Sequence, residues 1–223
     1  MRTALIDLDG TLVDSAALIT EHLAAALASV GVNVPDRAEL RRFVGPPFET
    51  ALPELGLTWA QTTEVIRTYR ASYDAVAAEH TPLYPGMSVL LKRLRASGLR
   101  LAVATSKPEE TARRIVEGVG IARHFALVGG ADHAGGRIGK AAVIGSVLQR
   151  LGLDPTRDPV VMVGDRHHDV DGAAAHGIPA IGVSWGYAAP GELDEAHVVV
   201  DDVDELVAAL DSDGIWSAAA SVA

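Results

Sequence analysis

The stretch Thr3-Ala4-Leu5-Ile6-Asp7-Leu8-Asp9-Gly10 decides the fold of this chain. Its first half is short and apolar, which is typical of a central strand in a parallel sheet. An acid and a glycine end the apolar run, so a loop is expected there, and open α/β sheets bind their ligands at such strand ends. The sequence therefore predicts a binding site directly after its first strand.

Two carboxylates stand at this strand end. Asp7 and Asp9 are two residues apart on an extended chain, so their side chains point to the same side. One of them can attack a phosphoryl group while the other handles a proton. An ordinary Asp-Gly turn is the alternative interpretation; it accounts for Asp9 and Gly10 but gives Asp7 no partner. These residues alone leave both interpretations open.

Composition restricts the class of protein. The chain has 223 residues, 48% of them hydrophobic, no cysteine, and a formal net charge of -10. The missing cysteines exclude disulfides and thiolate metal sites. The negative charge argues against a nucleic-acid polymer as partner, because phosphate backbones bind basic surfaces. No apolar stretch is long enough to span a membrane, and Asp7 and Asp9 interrupt the apolar start, so we expect a soluble cytoplasmic protein without a signal peptide.

Residues 14–84 show a helical pattern and no clear strand. Asp14 is expected to cap a first helix that ends at Gly31, and a second helix follows the irregular Val44-Gly45-Pro46-Pro47 segment. The apolar stripes of these helices consist of Ile19, Leu23, Leu27 and Val30, and of Ile66, Tyr69, Tyr73 and Val76.

After Tyr84 the pattern changes to alternating helices and strands, as in a doubly wound, Rossmann-like parallel α/β sheet. We therefore predict an α/β core domain formed by residues 1–13 and 85–223, with residues 14–84 as an inserted all-helical cap domain. Because the insertion begins directly after the Asp7 loop, it should lie over that loop as a lid. The later strands are predicted at Leu99 to Ala104, Ala126 to Val128, Val160 to Val163, Ala180 to Val183 and Val198 to Val200.

Polar residues follow the strand that ends at Ala104. Ser106 and Glu109 have the spacing of a capping box, and Pro108 suits a first helical turn, so a helix is expected to begin here. Its free backbone N–H groups, together with the Thr105 hydroxyl, can receive phosphate oxygens. A capped helix without a ligand explains the same residues equally well.

Two further positions indicate an anion and a metal. Lys140 opens a predicted helix, where a cation is disfavoured unless an anion or carboxylate lies near; an ordinary surface lysine is the alternative. Asp165 follows another strand, and Asp169 lies one helical turn later. Hard divalent cations take oxygen ligands, so Asp165 and Asp7 can form a magnesium site. The consecutive residues His167 and His168 do not share a helix face. We expect their side chains to be solvated, or to contact the metal ligands without binding the metal.

Ser184 lies in Gly182-Val183-Ser184-Trp185-Gly186, which fits the nucleophile elbow of serine hydrolases. That elbow needs a helix directly after the serine, whereas Ala188-Ala189-Pro190-Gly191 interrupts any helix here. Asp194 and His197 are also too close in sequence to complete a triad comfortably. A serine esterase is therefore a remote alternative.

Four strand-end motifs now stand in a fixed order, with the helical insertion between the first two. Together they resemble the haloacid dehalogenase superfamily of phosphatases over nearly the whole chain. The motifs are Asp7-x-Asp9-Gly10-Thr11, Thr105-Ser106, Lys140 and Gly164-Asp165-x-x-x-Asp169. Further segments are similar to the phosphoglycolate phosphatase and bacterial 5'-nucleotidase branch, namely Val44-Gly45-Pro46-Pro47, Tyr84-Pro85-Gly86, Ala104-Thr105-Ser106-Lys107-Pro108, Gly164 to Val170 and Gly182 to Tyr187.

The resemblance implies a magnesium-dependent phosphomonoesterase with a cap of the C1 type. Asp7 would attack phosphorus and form an aspartyl-phosphate, while Asp9 would protonate the leaving alkoxide and then activate water. Mg²⁺ would be held by Asp7, the Asp9 carbonyl and Asp165, with Asp169 directly or through water. The candidate substrate-binding residues of the core are Gly10, Thr11, Thr105, Ser106, Lys107 and Lys140.

Substrate choice is expected to depend on the cap, because the core binds only the phosphate that all substrates share. Arg41, Arg42 and the loop at Gly45 are the candidates. The expected substrate is a small phosphorylated metabolite, with phosphoglycolate or a nucleoside 5'-monophosphate ahead of a sugar phosphate. A phosphate-binding protein without turnover would need a damaged motif, and the motifs are intact.

Overall fold

A six-stranded parallel sheet forms the centre of the molecule. The computed structural model describes residues 1–217, and the strand order is β3-β2-β1-β4-β5-β6. The strands are β1 (Thr3–Ile6), β2 (Arg100–Pro108), β3 (Leu127–Ala131), β4 (Val160–Gly164), β5 (Ala180–Val183) and β6 (Val198–Val200). The predicted doubly wound α/β fold is confirmed, although β2 and β3 both continue beyond their predicted ends.

The first strand lies in the middle of this sheet. It pairs with β2 on one side and β4 on the other, so that Ile6 is in register with Val103 and Val163. Its side chains alternate between two buried hydrophobic clusters, with Ile6 in one and Leu5 in the other. Burial on both faces explains why the strand reads as a continuous apolar run. The residue that follows Ile6 is consequently flanked by the ends of two further strands.

Helices cover the sheet and form the crossovers between consecutive strands from β1 to β5, whereas residues 184–197 connect β5 to β6 without a helix. The crossover and C-terminal helices are α5 (Met87–Ala96), α6 (Glu109–Gly118), α7 (Lys140–Leu151), α8 (His167–Ala174), α9 (Val203–Asp211) and α10 (Asp213–Ser217). Within the described residues, no helix combines the length and the apolarity that a bilayer crossing requires.

Residues 14–84 form an insertion whose regular elements, in the described structure, are all helical. They are α1 (Ala16–Ser29), α2 (Arg37–Leu40), α3 (Phe48–Ala51) and α4 (Trp59–His80), with 3-10 turns at Arg41–Phe43 and Leu52–Leu55. A capping box starts α4, because Thr58 Oγ1 accepts from Gln61 N and Thr58 N donates to Gln61 Oε1. Val13 and Leu83 pair where the chain leaves and re-enters the core. The division into two domains stays a prediction.

Two predicted helix starts are wrong. Ser15 rather than Asp14 is the N-cap of α1, because the Asp14 carboxylate instead accepts a hydrogen bond from the Tyr187 hydroxyl at 2.9 Å. The capping box of Ser106 and Glu109 does not form either, since β2 remains extended as far as Pro108. The carboxylate of Glu109 is engaged by the guanidinium groups of arginines from two other segments, Arg137 and Arg150.

Candidate active site

Asp7 and Asp9 lie at the carboxyl end of β1 and line one cavity between the sheet and the helical insertion. The N–H of Asp7 donates to the Val163 carbonyl at 2.9 Å, which extends the pairing of β1 with β4 by one residue. The chain then turns back on itself, because the N–H of Val13 donates to the Leu8 carbonyl at 3.0 Å. Both carboxylates therefore face the same enclosed space.

Asp165 and Asp169 join Asp7 in a cluster of buried carboxylates. One oxygen of each residue lies within 4.8 Å of the others. Asp165 follows β4 and is held on both oxygens, by the Thr11 hydroxyl at 3.2 Å and the Tyr187 N–H at 2.8 Å. Asp169 reaches the cluster because α8 begins at His167, which places it in the first turn of that helix.

This cluster fits a hard divalent cation. Its donors are oxygens only, and Asp165 and Asp169 are almost completely inaccessible to solvent. Burial raises the pKa of Asp165 well above its ordinary range, and the neighbouring charges of Asp169 and Asp7 raise it further. A divalent cation would relieve both effects, and Mg²⁺ prefers such a donor set. The Asp9 carboxylate is not part of the cluster.

Lys140 supplies a cation to the same place from the first residue of α7. Its Nζ lies 2.8 Å from Asp7 Oδ1 and 2.6 Å from Asp169 Oδ1, and it donates to the Ala104 carbonyl at 3.1 Å. Burial alone would lower the pKa of Lys140, but the two carboxylates raise it above its ordinary value. Burial also raises the pKa of Asp7 to about 6, although Lys140 lowers it. The lysine therefore stays charged and stabilises the ionised form of Asp7.

The end of β2 brings Thr105, Ser106 and Lys107 to the cavity wall. Thr105 is buried, and its hydroxyl accepts from the N–H of Lys107 at 3.3 Å. Because α6 begins only at Glu109, the N–H of Ser106 is not at a helix N-terminus as the sequence suggested. The end of β2 therefore lines the cavity as extended backbone, and the N-terminus of α6 follows directly, with Pro108 and Thr111 also in the cavity lining.

Lys107 was predicted to bind substrate, but the structure engages it with Asp9. Its Nζ lies 3.0 Å from Asp9 Oδ2 and 4.6 Å from the centroid of the Tyr73 ring. Burial alone would lower the pKa of Lys107, but Asp9 and two tyrosines raise it well above its ordinary value. The two buried lysines therefore pair with different acids, Lys140 with Asp7 and Lys107 with Asp9.

The insertion closes the cavity with apolar and aromatic side chains. Arg42, a predicted substrate-binding residue, lies outside the cavity lining: it is exposed, 3.8 Å from Glu39 Oε1, and lies over the Phe43 ring. The 3-10 turn Arg41–Phe43 turns Phe43 inward and leaves both arginines on the surface. Gly45, the other substrate-binding candidate of the insertion, does line the cavity. The other lining residues of the insertion are Ile19, Phe43, Pro46, Pro47, Phe48, Glu49, Tyr69, Arg70, Tyr73 and Asp74.

A polar group at the cavity wall was missed by the sequence analysis. Arg70 of α4 is 2.9 Å from Glu49 Oε1, and its Nη2 is 3.2 Å from His133 Nε2. His133 belongs to the loop after β3, so this group connects the insertion to the core. Arg70 follows Tyr69 directly and precedes Asp74 by one helical turn, which was the available signal. No sequence signal indicated His133, because its position depends on the path of the loop after β3.

Two loops contact Asp165, one after β5 and one after β1. In the loop after β1, Gly10 and Thr11, which were predicted to bind substrate, contact Asp165 and lie outside the cavity lining. A Cβ atom on Gly10 or on Gly186 would lie 2.2 Å or 2.3 Å from an atom of Asp165, so both positions need glycine. Ser184, the elbow-like serine, is exposed and donates to Asp201 Oδ1 at 2.6 Å. This loop therefore supports the carboxylate cluster.

Comparisons with known proteins agree with this geometry. The family model described as haloacid dehalogenase-like hydrolase matches residues 4–183. A protein named tyrosine-protein kinase PtkA, from Mycobacterium tuberculosis, is 44% identical over 92% of this chain and 71% of its own length. A 5'-nucleotidase from Pseudomonas aeruginosa is 36% identical over 86% of each chain. The solved structure of a predicted phosphatase from Clostridium acetobutylicum has a TM-score of 0.88 and 34% identity, covering 94% of this chain and 97% of that one.

Proposed function

Because this chain belongs to the haloacid dehalogenase-like hydrolase family, we propose that it is a magnesium-dependent phosphomonoesterase that acts on a small phosphorylated metabolite. The observation that carries the proposal is that two acids, two residues apart, pair with two separate lysines. Asp7 contacts Lys140 and lies in the carboxylate cluster, whereas Asp9 contacts Lys107 and lies outside it. Two acids in such different surroundings suit a nucleophile and a proton carrier.

The proposed reaction has two steps. First, an oxygen of Asp7 bonds to phosphorus while the bond from phosphorus to the alcohol oxygen breaks, and that oxygen takes a proton from Asp9. Second, Asp9 takes a proton from water, whose oxygen bonds to phosphorus while the bond to Asp7 breaks. The products are the free alcohol and inorganic phosphate, and both acids return to their starting states.

Other residues stabilise the charge that develops on the phosphoryl oxygens. Thr105 and Ser106 border the cavity beside Asp7, and Lys140 keeps the charge of Asp7 balanced. A Mg²⁺ ion held by Asp7, Asp165 and Asp169 would supply electrostatic shielding between the nucleophile and the phosphate. The proposal assigns the Asp9 backbone carbonyl to the same ion.

The cavity chemistry supports an alcohol part without a second anionic group. Among residues 1–217, the lysine and arginine side chains that line the cavity are Lys107 and Arg70, and both are already paired, with Asp9 and Glu49. Much of the remaining surface of the insertion is apolar or aromatic. A nucleoside 5'-monophosphate therefore suits this cavity better than phosphoglycolate, whose carboxylate would find each of these cations already engaged.

Phosphate release from p-nitrophenyl phosphate tests the proposed reaction. We expect turnover with Mg²⁺, loss of turnover with EDTA that added Mg²⁺ restores, and loss of turnover in Asp7→Asn, which removes the nucleophile. Asp171→Asn is the matched control, because Asp171 is an exposed carboxylate on α8, and it should keep full activity. Turnover that persists in EDTA, or in Asp7→Asn, would contradict the aspartyl-phosphate route.

The substrate class needs a separate measurement. We expect kcat/KM for adenosine 5'-monophosphate to exceed that for phosphoglycolate and for glucose 6-phosphate under identical Mg²⁺ conditions. A parallel incubation with ATP and a tyrosine-containing peptide covers the activity that the name of the mycobacterial relative suggests. Phosphotyrosine formation faster than phosphate release from the esters would refute the phosphomonoesterase assignment.

A further inference from the structure

Lys107 is paired with Asp9, the acid proposed to carry the proton. We propose that Lys107 is a positioning residue for Asp9: its ammonium group holds one carboxylate oxygen, so that the other oxygen is presented to the leaving oxygen of the substrate. The proposal rests on the phosphomonoesterase function proposed above. It adds that helix α4 of the insertion holds Lys107 in place through Tyr73.

The ion pair between Lys107 and Asp9 is enclosed. Nζ and Oδ2 are 3.0 Å apart, and the two side chains are 6% and 10% exposed. At this depth a charge without a partner is strongly unfavourable, so each group restricts where the other can lie. Lys140 cannot replace Lys107, since Lys140 is committed to Asp7 and Asp169.

The second oxygen of Asp9 is left for the reaction. Within residues 1–217, Asp9 Oδ1 is buried and has no hydrogen-bond partner. Buried carboxylate oxygens are normally paired, and Asp9 lines the cavity, so this unpaired oxygen indicates that a bound molecule completes its bonding. To transfer a proton, Asp9 must keep one oxygen free and its carboxylate must not rotate. The contact of Lys107 with Oδ2 meets both requirements, because it fixes the carboxylate and leaves Oδ1 free.

Helix α4 of the insertion completes the arrangement. The centroid of the Tyr73 ring is 4.6 Å from Lys107 Nζ, within cation–π range, and Tyr73 stacks on Tyr69 of the same helix with centroids 5.1 Å apart. Lys107 itself comes from the end of β2 in the core. The ammonium group therefore has a core acid on one side and an aromatic ring of the insertion on the other, so closure of the insertion and orientation of Asp9 are coupled.

A phosphate-binding lysine and a positioning lysine predict different kinetics. In the first step, a lysine on the phosphoryl oxygens assists the transfer from every ester, whereas a lysine that orients Asp9 matters only when the leaving oxygen needs a proton. Phenyl phosphate and p-nitrophenyl phosphate separate the two cases. They are similar in shape, but phenoxide is much more basic than p-nitrophenoxide and depends on the proton far more.

The test is single-turnover release of phenol and of p-nitrophenol by Lys107→Met with Mg²⁺. We expect release of phenol to slow by roughly 100-fold, the lower end of general-acid contributions, and release of p-nitrophenol by less than about tenfold. With p-nitrophenyl phosphate, whose first step is little affected, the phosphorylated enzyme should accumulate and be visible by intact mass, because Asp9 also activates the water of the second step. Equal slowing of both esters, or an increase in KM with unchanged single-turnover rates, overturns the positioning role.

Three further variants make the result independent of folding losses. Lys92→Met removes an exposed lysine and should leave both rates unchanged. Asp9→Asn and the double variant Asp9→Asn/Lys107→Met both lack the proton carrier. Lys107→Met leaves the Asp9 carboxylate without its cation, whereas the double variant contains neither charge. The double variant should release phenol within about twofold of Asp9→Asn, since coupled residues have non-additive effects. A further large loss refutes the proposal. Failure of the wild-type enzyme to hydrolyse either ester would instead refute the proposed function.

Discussion

Gly186→Ala tests whether the loop after β5 positions the carboxylate cluster. An added Cβ at this position would lie 2.3 Å from Asp165 Cβ and 2.4 Å from Asp165 Oδ2, whereas ordinary contacts begin near 3.4 Å. Either the loop or Asp165 must therefore move by about 1 Å. Gly186 also precedes Tyr187, whose N–H donates to Asp165 Oδ2 at 2.8 Å, so the same movement strains that hydrogen bond.

The expected effect is larger on metal affinity than on folding. Overpacking of this kind typically destabilises a protein by about 1–3 kcal/mol. Disturbing a group that orients a metal ligand typically costs about 10–100-fold in metal affinity or activity. We therefore expect the Mg²⁺ concentration for half-maximal hydrolysis of p-nitrophenyl phosphate to rise by about 10–100-fold, with most of the maximal rate recovered at saturating Mg²⁺.

A titration of activity against Mg²⁺, together with urea unfolding, measures both quantities. Ser184→Ala is the matched control, because Ser184 is an exposed residue of the same loop whose hydroxyl donates to Asp201 and not to the carboxylate cluster. An unchanged Mg²⁺ requirement in Gly186→Ala would refute the reasoning, as would an equal change in both variants. A drop in maximal rate without a change in the Mg²⁺ requirement would place the defect elsewhere than in the metal ligands.

Two further predictions concern the charged groups of the cavity. Glu49→Gln releases Arg70 from its ion pair, so that Arg70 can bind the carboxylate of phosphoglycolate. In a competition assay, kcat/KM for phosphoglycolate should therefore rise relative to that for adenosine 5'-monophosphate. An unchanged ratio would contradict the argument that the ion pair excludes anionic substrates. Lys140→Met leaves the buried carboxylates of Asp7 and Asp169 without their cation. The free energy of unfolding in EDTA should therefore fall by about 3–5 kcal/mol. Added Mg²⁺ should restore part of this loss. Urea unfolding with and without Mg²⁺ decides this, and a loss below about 1 kcal/mol in EDTA would show that Lys140 is not needed to balance the carboxylates.

Much of the fold was predictable because local patterns and burial agree in the core. The strands β1, β5 and β6 have the predicted bounds, and all six strands lie where apolar runs were identified. The misplaced starts of α1 and α6 have a common cause. Asp14 and Glu109 have the chemistry of helix-capping residues, but partners distant in sequence compete for their carboxylates, namely Tyr187, Arg137 and Arg150.

Prediction of the site residues was uneven for a related reason. Strand-end acids and the first-turn Lys140 follow from periodicity, since parallel strands place their carboxyl ends at one edge of the sheet. Arg42 lies outside the cavity lining because a 3-10 turn, which no periodicity reveals, sends Phe43 inward in its place. The cavity residues Glu49, Arg70 and His133 come from three segments, and their meeting depends on how the insertion packs on the core.

By itself, the sequence determined which groups stand at the strand ends: the pair Asp7 and Asp9, Thr105, Lys140 and Asp165. Their order along the chain suffices, because burial compels the apolar runs to form neighbouring parallel strands. The tertiary structure alone decided which cation accompanies which acid. Lys140 pairs with Asp7 and Lys107 with Asp9, because β2 stays extended past Thr105 and because Tyr73 of the insertion covers the second pair. Such pairings depend on angstrom-scale packing between segments distant in sequence.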